Sequence, residues 1–476
     1  MRRRLQLRFT FSTNPEIQLR MAKRLFGTDG IRGIAGNPPL DARTVTALGI
    51  ALGDDLHRQS LAAKPVLIGM DTRESGPEIA AWLADGLRRT GVGVEFAAVV
   101  TTPGVAYLTR TGEFSAGVMI SASHNPFEDN GIKVFARTGY KLPDVEEHEI
   151  EEEIFRIVSE VTPAVSAERL KLTYDVRPYL NFLLSTIASE AGATEATSQT
   201  LKGLKLVLDC GNGAASALAP ALFREAGAEV TAIFDEPNGR NINLNCGALH
   251  LDRLRETVLA NGADAGVAFD GDADRAMLIS GEGRLVDGDA MMLIAARRLQ
   301  AEGRLAGNIV VSTVMSNLGL EKALGRLGIT MLRTPVGDKY VLEEMLRQKA
   351  VLGGEQSGHV IFGEFATTGD GMLTALKILE TCVREGATLD KLAADLTVFP
   401  QLLINIRVKQ RRPLEDLPAV ANEIRACESA LNGNGRILVR FSGTEPLARV
   451  MVEGPDRAQV SEWAERIASV IRNELG

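Results

Sequence analysis

Carboxylates stand at alternate positions in Asp270-Gly271-Asp272-Ala273-Asp274-Arg275. In an extended or tightly turned backbone, side chains at i, i+2 and i+4 share one side. Like charges held so close repel unless a cation neutralises them, and an all-oxygen donor set suits Mg²⁺ or Ca²⁺. An EF-hand loop starting at Asp270 would need Gly at its sixth position and Glu at its twelfth, but Arg275 and Gly281 stand there. Three ligands leave coordination positions open, as a metal acting on a substrate requires. The competing reading is a solvated acidic turn.

A second cluster lies in Gly117–Phe135. Ser121, Ser123, His124, Asn125 and Pro126, then Asp129-Asn130-Gly131 and Lys133, are set between the apolar runs Val118–Ile120 and Ile132–Phe135. A polar turn on two buried strands is a rigid support for reactive groups, although an ordinary hairpin would read the same way. Glu355 and Ser357, in Glu355-Gln356-Ser357-Gly358-His359, offer a carboxylate and a hydroxyl suited to adjacent sugar hydroxyls. His359 could move a proton near neutral pH. Arg440, Ser442, Gly443, Thr444 and Arg449 have the makings of an anion cradle: hydroxyl and backbone donors, close approach at the glycine, and guanidinium charge. His57, His148 and His250 read as structural.

These turns need elements to hold them. The order strand, helix, strand, helix, strand-turn-strand occurs three times, and its polar turns fall at Ser121–Asn130, Asp270–Arg275 and Glu355–His359. Apolar strands alternating with helices predict α/β units with mixed, mostly parallel sheets, whose strand ends carry ligands. The expected fold is three similar α/β domains plus a smaller C-terminal α+β domain, arranged around a central cleft. The expected boundaries are 21–175, 176–280, 281–390 and 391–476, with 1–20 a disordered extension. The acidic helix Asp144–Ile157 reads as a solvated surface element. Only a helical turn is predicted after Pro103, and a helix over Leu414–Leu431.

The chain has 476 residues, too many for one core. A net charge of −8 argues against a general nucleic-acid binder, and no apolar run reaches the roughly 20 residues of a membrane span. Cys210, Cys246, Cys382 and Cys427 are far apart, which implies neither a disulfide framework nor a zinc site and makes a cytoplasmic location the expectation. The first twenty residues carry five arginines against one glutamate, and lack the apolar stretch of a secretory signal. Gly211-Asn212-Gly213 after a strand, with Asp235 ending the next, imitates a dinucleotide fingerprint. Ser216 replaces its third glycine, and Asp209 would abut the pyrophosphate, so the imitation fails. No G-x-x-x-x-G-K-[ST] sequence occurs.

A serine in an exposed turn, a divalent-metal site, a diol clamp and an anion cradle together imply phosphoryl transfer on a phosphosugar. At this point the sequence resembles a known family. SASHNP at Ser121–Pro126, DGDADR at Asp270–Arg275, GEQSGH at Gly354–His359 and RFSGTEP at Arg440–Pro446 look like the four signatures of the α-D-phosphohexomutases, in the right order. FGTDGIRG at Phe26–Gly33, TVMSNLGL at Thr313–Leu320, VGDKYV at Val336–Val341 and TTGDG at Thr367–Gly371 look like its bacterial branch acting on glucosamine phosphates. The resemblance runs from about Ala22 to about Ile471.

It implies that Ser123 is the phosphorylated serine and Ser121 a neighbour. One Mg²⁺ per chain would be held by the phosphoserine with Asp270, Asp272 and Asp274. Phosphate would pass to the free sugar hydroxyl, through glucosamine 1,6-bisphosphate or a similar activating intermediate. Lys133 and His359 become candidate proton carriers, Lys133 needing a lowered pKa to act as a base. Arg32 would lie near the reacting phosphate and His124 beside the serine. Arg275, Glu355, Ser357, Arg440, Ser442, Gly443, Thr444 and Arg449 would bind substrate. The expected partner is a small phosphosugar, with no nucleic acid or membrane; a homodimer fits this reading without being required by it. Ala273 stands where many relatives have glycine, and should be tolerated. Open alternatives are a phosphomannomutase or phosphoglucomutase, a metal-dependent phosphatase, and a scaffold without catalysis, the last disfavoured by the intact serine, aspartates, lysine and histidine.

Overall fold

The computed structural model describes residues 25–27, 29–163, 169–187, 199–410, 412–413, 416–441 and 446–476. The expected extension over 1–20 lies outside them. The chain divides into two compact units, one of residues 1–254, 267–275 and 366–372, the other of residues 255–266, 276–365 and 373–476.

In the first unit, β1 (Phe26–Gly27), β2 (Gly30–Ile34), β3 (Val66–Met70), β4 (Val94–Val99), β5 (Ala116–Ile120) and β6 (Asp129–Ala136) form a six-stranded sheet. Its order is β1-β2-β6-β5-β3-β4. β3 runs parallel to β4 and β5, whereas β5 and β6 are antiparallel. Helices Ala42–Arg58, Gly76–Arg89 and Asp144–Ile157 belong to this unit. Val66, Ile68, Val118, Ile120, Ile132 and Val134 enter one apolar core. Since strand side chains alternate, burying Ile132 and Val134 turns Lys133 to the opposite face. β7 (Lys205–Asp209) and β8 (Glu229–Ile233) pair in parallel, and β9 (Ala265–Phe269) leads into the aspartate loop.

In the second unit, β10 (Ala276–Ser280) and β11 (Leu285–Val286) form a hairpin. β12 (Ile309–Thr313), β13 (Thr330–Thr334), β14 (Leu352–Gly354) and β15 (Val360–Phe362) form a sheet ordered β13-β12-β14-β15. As in the first unit, parallel pairs are followed by an antiparallel hairpin that carries the polar turn. β16 (Gln401–Arg407), β17 (Arg436–Phe441) and β18 (Leu447–Glu453) make an antiparallel sheet. Helices Pro418–Leu431 and Arg457–Leu475 pack on it around Val450, Val452, Ala464 and Ile467, which gives the expected small α+β domain.

Some local expectations change. The helix near Pro103 is Thr102–Thr111, because the Thr101 hydroxyl accepts from the Gly104 amide and caps it. The helix expected from Leu414 begins at Pro418, whose missing N–H costs nothing in a first turn; Leu414 itself lies outside the described residues. Arg177–Ser185 and Gly288–Ala301 are helices that the sequence reading passed over. The acidic helix is not wholly solvated: Glu147 and Glu151 are buried, and Glu151 accepts from the amides of Leu25 and Phe26 at 2.7 and 3.1 Å. One of its acidic side chains therefore anchors the start of β1.

Candidate active site

Ser123 sits where β5 has ended and β6 has not begun, with φ +54. Its amide is held by the Ser121 hydroxyl at 2.9 Å, and Ser121 in turn donates to Asp71 at 2.6 Å. Its carbonyl accepts from Arg73 at 3.1 Å and from Asn243 at 2.9 Å. Arg73 is fully buried and ion-paired with Asp71. Ser121 is thus occupied as a brace, while the Ser123 hydroxyl points at Asp270, donating to its Oδ2 at 2.6 Å. His124 Nδ1 lies 3.3 Å from the same hydroxyl.

The aspartate loop meets this turn directly. A Cβ on Gly271 would lie 2.5 Å from the Ser123 carbonyl oxygen, so only glycine lets the two backbones approach. On the other side the Gly271 carbonyl accepts from the Ala214 amide at 2.8 Å. A Cβ on Gly213 would lie 2.5 Å from the Gly271 carbonyl oxygen, so the Gly211-Asn212-Gly213 turn packs its last glycine against the aspartate loop. Asp270, Asp272 and Asp274 are buried, with ligand oxygens within 4.8 Å of one another. Asp272 Oδ2 accepts from Thr102 Oγ1 at 2.5 Å and from Lys133 Nζ at 2.9 Å. Its Oδ1 is buried with no hydrogen-bond partner among the described residues. A buried, unpartnered carboxylate oxygen in an all-oxygen cluster fits a divalent cation.

The charges respond as the geometry requires. Burial, then Asp274 and Asp272, push the Asp270 carboxyl well above its usual range. Burial and the neighbouring Arg275 and Arg32 lower His124 to about 4, so its imidazole is neutral at pH 7. Lys133 is fully buried, yet Asp272, Asp29 and Asp274 outweigh its desolvation and hold its ammonium form well above the ordinary range. The lowered pKa expected of a lysine base is therefore absent, because three carboxylates face the amine and outweigh the nearby Arg32. Arg32 pairs with Asp29 at 2.5 Å. Arg275 donates its amide to Asp270 at 3.2 Å, and its Nε lies 3.8 Å from Asp274.

Ala273 has φ +54, the same left-handed geometry as Ser123. A β-carbon there costs about 1 kcal/mol, partly offset by its restriction of the unfolded chain. Ala273→Gly is expected to leave stability unchanged or raised by up to about 1 kcal/mol, with turnover kept; thermal melts and initial rates check this.

In the second unit, Glu355 accepts from the Gly337 amide at 3.2 Å, and Ser357 donates to Glu355 at 3.4 Å. Gln356 donates to Asp287 at 3.3 Å. His359 is buried, with Nε2 3.7 Å from Asp338. Arg440 and Arg449 stand directly opposite across β17 and β18. Burial, then Arg449, lowers the pKa of Arg440. Like charges facing across a ladder are unfavourable without an anion between them. Ser442, Gly443 and Thr444 lie outside the described residues.

Sequence reading missed Asp29, Asp71, Arg73, Thr102 and Asn243. Asp71-Thr72-Arg73 at the end of β3, and Asp29 within Phe26–Gly33, were visible as polar groups near a strand. Thr102 and Asn243 reach their partners across 170 and 120 positions and carried no local signal.

Models of the phosphoglucomutase/phosphomannomutase domains match the chain in order. The alpha/beta/alpha domains I, II and III match residues 23–160, 178–283 and 287–399, and the C-terminal domain matches 403–470. The chain belongs to the phosphoglucomutase/phosphomannomutase family. Within this family it is 59% identical over 462 residues to the phosphoglucosamine mutase of Solibacter usitatus (strain Ellin6076), covering 96% of this chain and 100% of that one. It is 50% identical over 467 residues to the phosphoglucosamine mutase of Koribacter versatilis (strain Ellin345), covering 95% and 98%. Among solved structures, a phosphoglucomutase/phosphomannomutase family protein from Burkholderia thailandensis aligns with TM-score 0.75 at 23% identity, covering 94% and 97%. Aspergillus fumigatus N-acetylphosphoglucosamine mutase, solved with GlcNAc-6P and magnesium, aligns with TM-score 0.64 at 18% identity, covering 95% and 96%. These structural likenesses concern the fold. No helix among the described residues is long and apolar enough to cross a membrane.

Proposed function

We propose that this family member is a phosphoglucosamine mutase, interconverting glucosamine 6-phosphate and glucosamine 1-phosphate through a phosphoserine at Ser123 and a 1,6-bisphosphate. The observation that carries the chemistry is the Ser123 hydroxyl 2.6 Å from the buried Asp270, at the edge of the aspartate cluster. The choice of amino sugar draws its support from the relatives named above. Asp270, Asp272 and Asp274 would hold Mg²⁺, which when bound draws electrons from the serine ester and makes it a better phosphoryl donor.

The rest falls to the chain's own side chains. In the forward transfer the free sugar hydroxyl attacks phosphorus, its O–P bond forms and the Ser123 O–P bond breaks. The hydroxyl proton must leave and the serine oxygen must be neutralised. Lys133, held as an ammonium, supplies positive charge and a proton near that oxygen. His359 is the candidate to accept the proton that leaves the sugar hydroxyl, and Arg32 and Arg275 would balance phosphate charge. The neutral His124 gives the serine oxygen a hydrogen-bonding neighbour without adding charge. Glu355 and Ser357 would grip adjacent sugar hydroxyls, and the facing Arg440 and Arg449, with Ser442, Gly443 and Thr444, the phosphate that is not reacting. The bisphosphate then turns over and returns its other phosphate to Ser123.

Initial rates with the 6-phosphates of glucosamine, mannose and glucose test this reading. The glucosamine compound is expected to have the highest kcat/KM, with no net phosphate released once a bisphosphate primes the enzyme. A preference for mannose would overturn the substrate, and steady phosphate release would favour a phosphatase.

A further inference from the structure

Asp29 lies between β1 and β2, in a tight hairpin pressed against β6. Gly27 pairs with Gly30, and Ile31 and Arg32 pair with Ile132 and Gly131. Gly30 has φ +80, and a Cβ there would stand 2.3 Å from the Ile132 carbonyl oxygen. Only glycine lets the hairpin come this close. Its carboxylate is thereby brought beside Lys133, the next residue along β6.

The Asp29 carboxylate gathers three cations. Its Oδ2 lies 3.0 Å from Lys133 Nζ and 2.5 Å from Arg32 Nη2, and its Oδ1 accepts from Lys141 at 2.5 Å. Lys133 has two other carboxylate partners, Asp272 at 2.9 Å and Asp274 at 3.4 Å. Both belong to the cluster that could hold a metal, and Asp272 Oδ2 also serves Thr102. A cation bound by the cluster and the ammonium of Lys133 thus draw on the same oxygens. Asp29 is the Lys133 partner that stands outside the cluster.

We propose that Asp29 is a positioning residue that shares the Lys133 ammonium away from Asp272 and Asp274, so that these aspartates remain available to a divalent cation. The inference rests on reading the cluster as a metal site. Without Asp29 the buried ammonium settles on the cluster, and an incoming cation must displace it. Lys141 and Arg32 fix the carboxylate in place, and Arg32 is itself held near the serine turn by the same group.

Mn²⁺ is the probe, with free ion counted by its paramagnetic resonance signal, so that binding is read apart from turnover. In the full-length protein Asp29→Asn is expected to weaken Mn²⁺ binding about tenfold, and Asp29→Glu to restore most of it. In a Lys133→Met background, where no ammonium competes, Asp29→Asn is expected to change Mn²⁺ binding less than twofold. An equal loss in both backgrounds, or no loss in either, overturns the proposal. If wild type binds Mn²⁺ and Asp272→Asn does not, those failures leave the metal reading standing. If wild type itself binds no Mn²⁺, the metal reading fails, and the proposal with it.

Discussion

Ser123→Ala should give a folded protein that lacks its phosphate and has lost activity by roughly a thousandfold or more, the scale on which removal of a covalent nucleophile acts. The backbone does not demand serine. Ala273 adopts the same left-handed φ of +54 in the equivalent turn, so alanine can occupy that conformation in this fold. The turn is braced by groups the substitution leaves intact: Ser121 on the amide, Arg73 and Asn243 on the carbonyl. What is lost is the hydroxyl's hydrogen bond to Asp270 and its longer contact with His124, each worth about 1 kcal/mol or less, and Asp270 keeps the Arg275 amide. Ser121→Ala has the opposite profile. It removes the link between Asp71 and the Ser123 amide, so stability falls while the phosphate remains. Intact mass, thermal melts and initial rates on both variants separate the two serines. Near-wild-type turnover by Ser123→Ala would sink the phosphoserine assignment.

Most of the architecture was legible because it repeats. Apolar strands alternating with helices and three polar turns gave the α/β units, and the final strands and helices gave the smaller domain. The reactive turns were legible because their residues are adjacent: Ser121 to Asn125 and Asp270 to Arg275 each fall within a few positions. What sequence could not display was the company these residues keep. Lys133 was a candidate proton carrier that would need a lowered pKa to act as a base, but strand alternation turns it towards Asp272, Asp29 and Asp274, which favour the charged form. Glu151 looked solvated because its neighbours are charged, yet helical periodicity places it on the buried face with Ile150 and Ile154, where it meets free amides of β1. Arg73 followed a strand in plain view, but its role depends on carbonyls of Ser123 and Asn125, about fifty positions away.

The aspartate cluster should trade stability for metal. Asp270→Asn is expected to abolish Mg²⁺-dependent activity, with a loss exceeding the 10–100-fold that follows when a residue merely supporting a metal ligand is removed. In the metal-free protein the same substitution should leave the melting temperature unchanged or raise it. Burial, and after it the neighbouring Asp274 and Asp272, raises the Asp270 pKa well above the ordinary 3.8. A carboxyl whose folded pKa is raised binds its proton more tightly in the folded state, so its ionisation destabilises the fold. That penalty is absent below the ordinary carboxyl value and complete above the folded one. Metal-free wild type should therefore lose stability relative to Asp270→Asn as pH rises between them, and the two melting curves should converge as pH falls towards 3.8. Asparagine can still accept from the Arg275 amide and exchange a hydrogen bond with Ser123, so little else changes. Adding Mg²⁺ reverses the order: binding to the folded state alone raises the wild-type melting temperature, while the variant does not respond. Because the cation must displace the proton that the crowded carboxylates favour, wild-type affinity for Mg²⁺ should fall as the solution is acidified. A variant that kept both its Mg²⁺-induced shift and turnover within a few-fold of wild type would show that the cluster serves some purpose other than holding the metal.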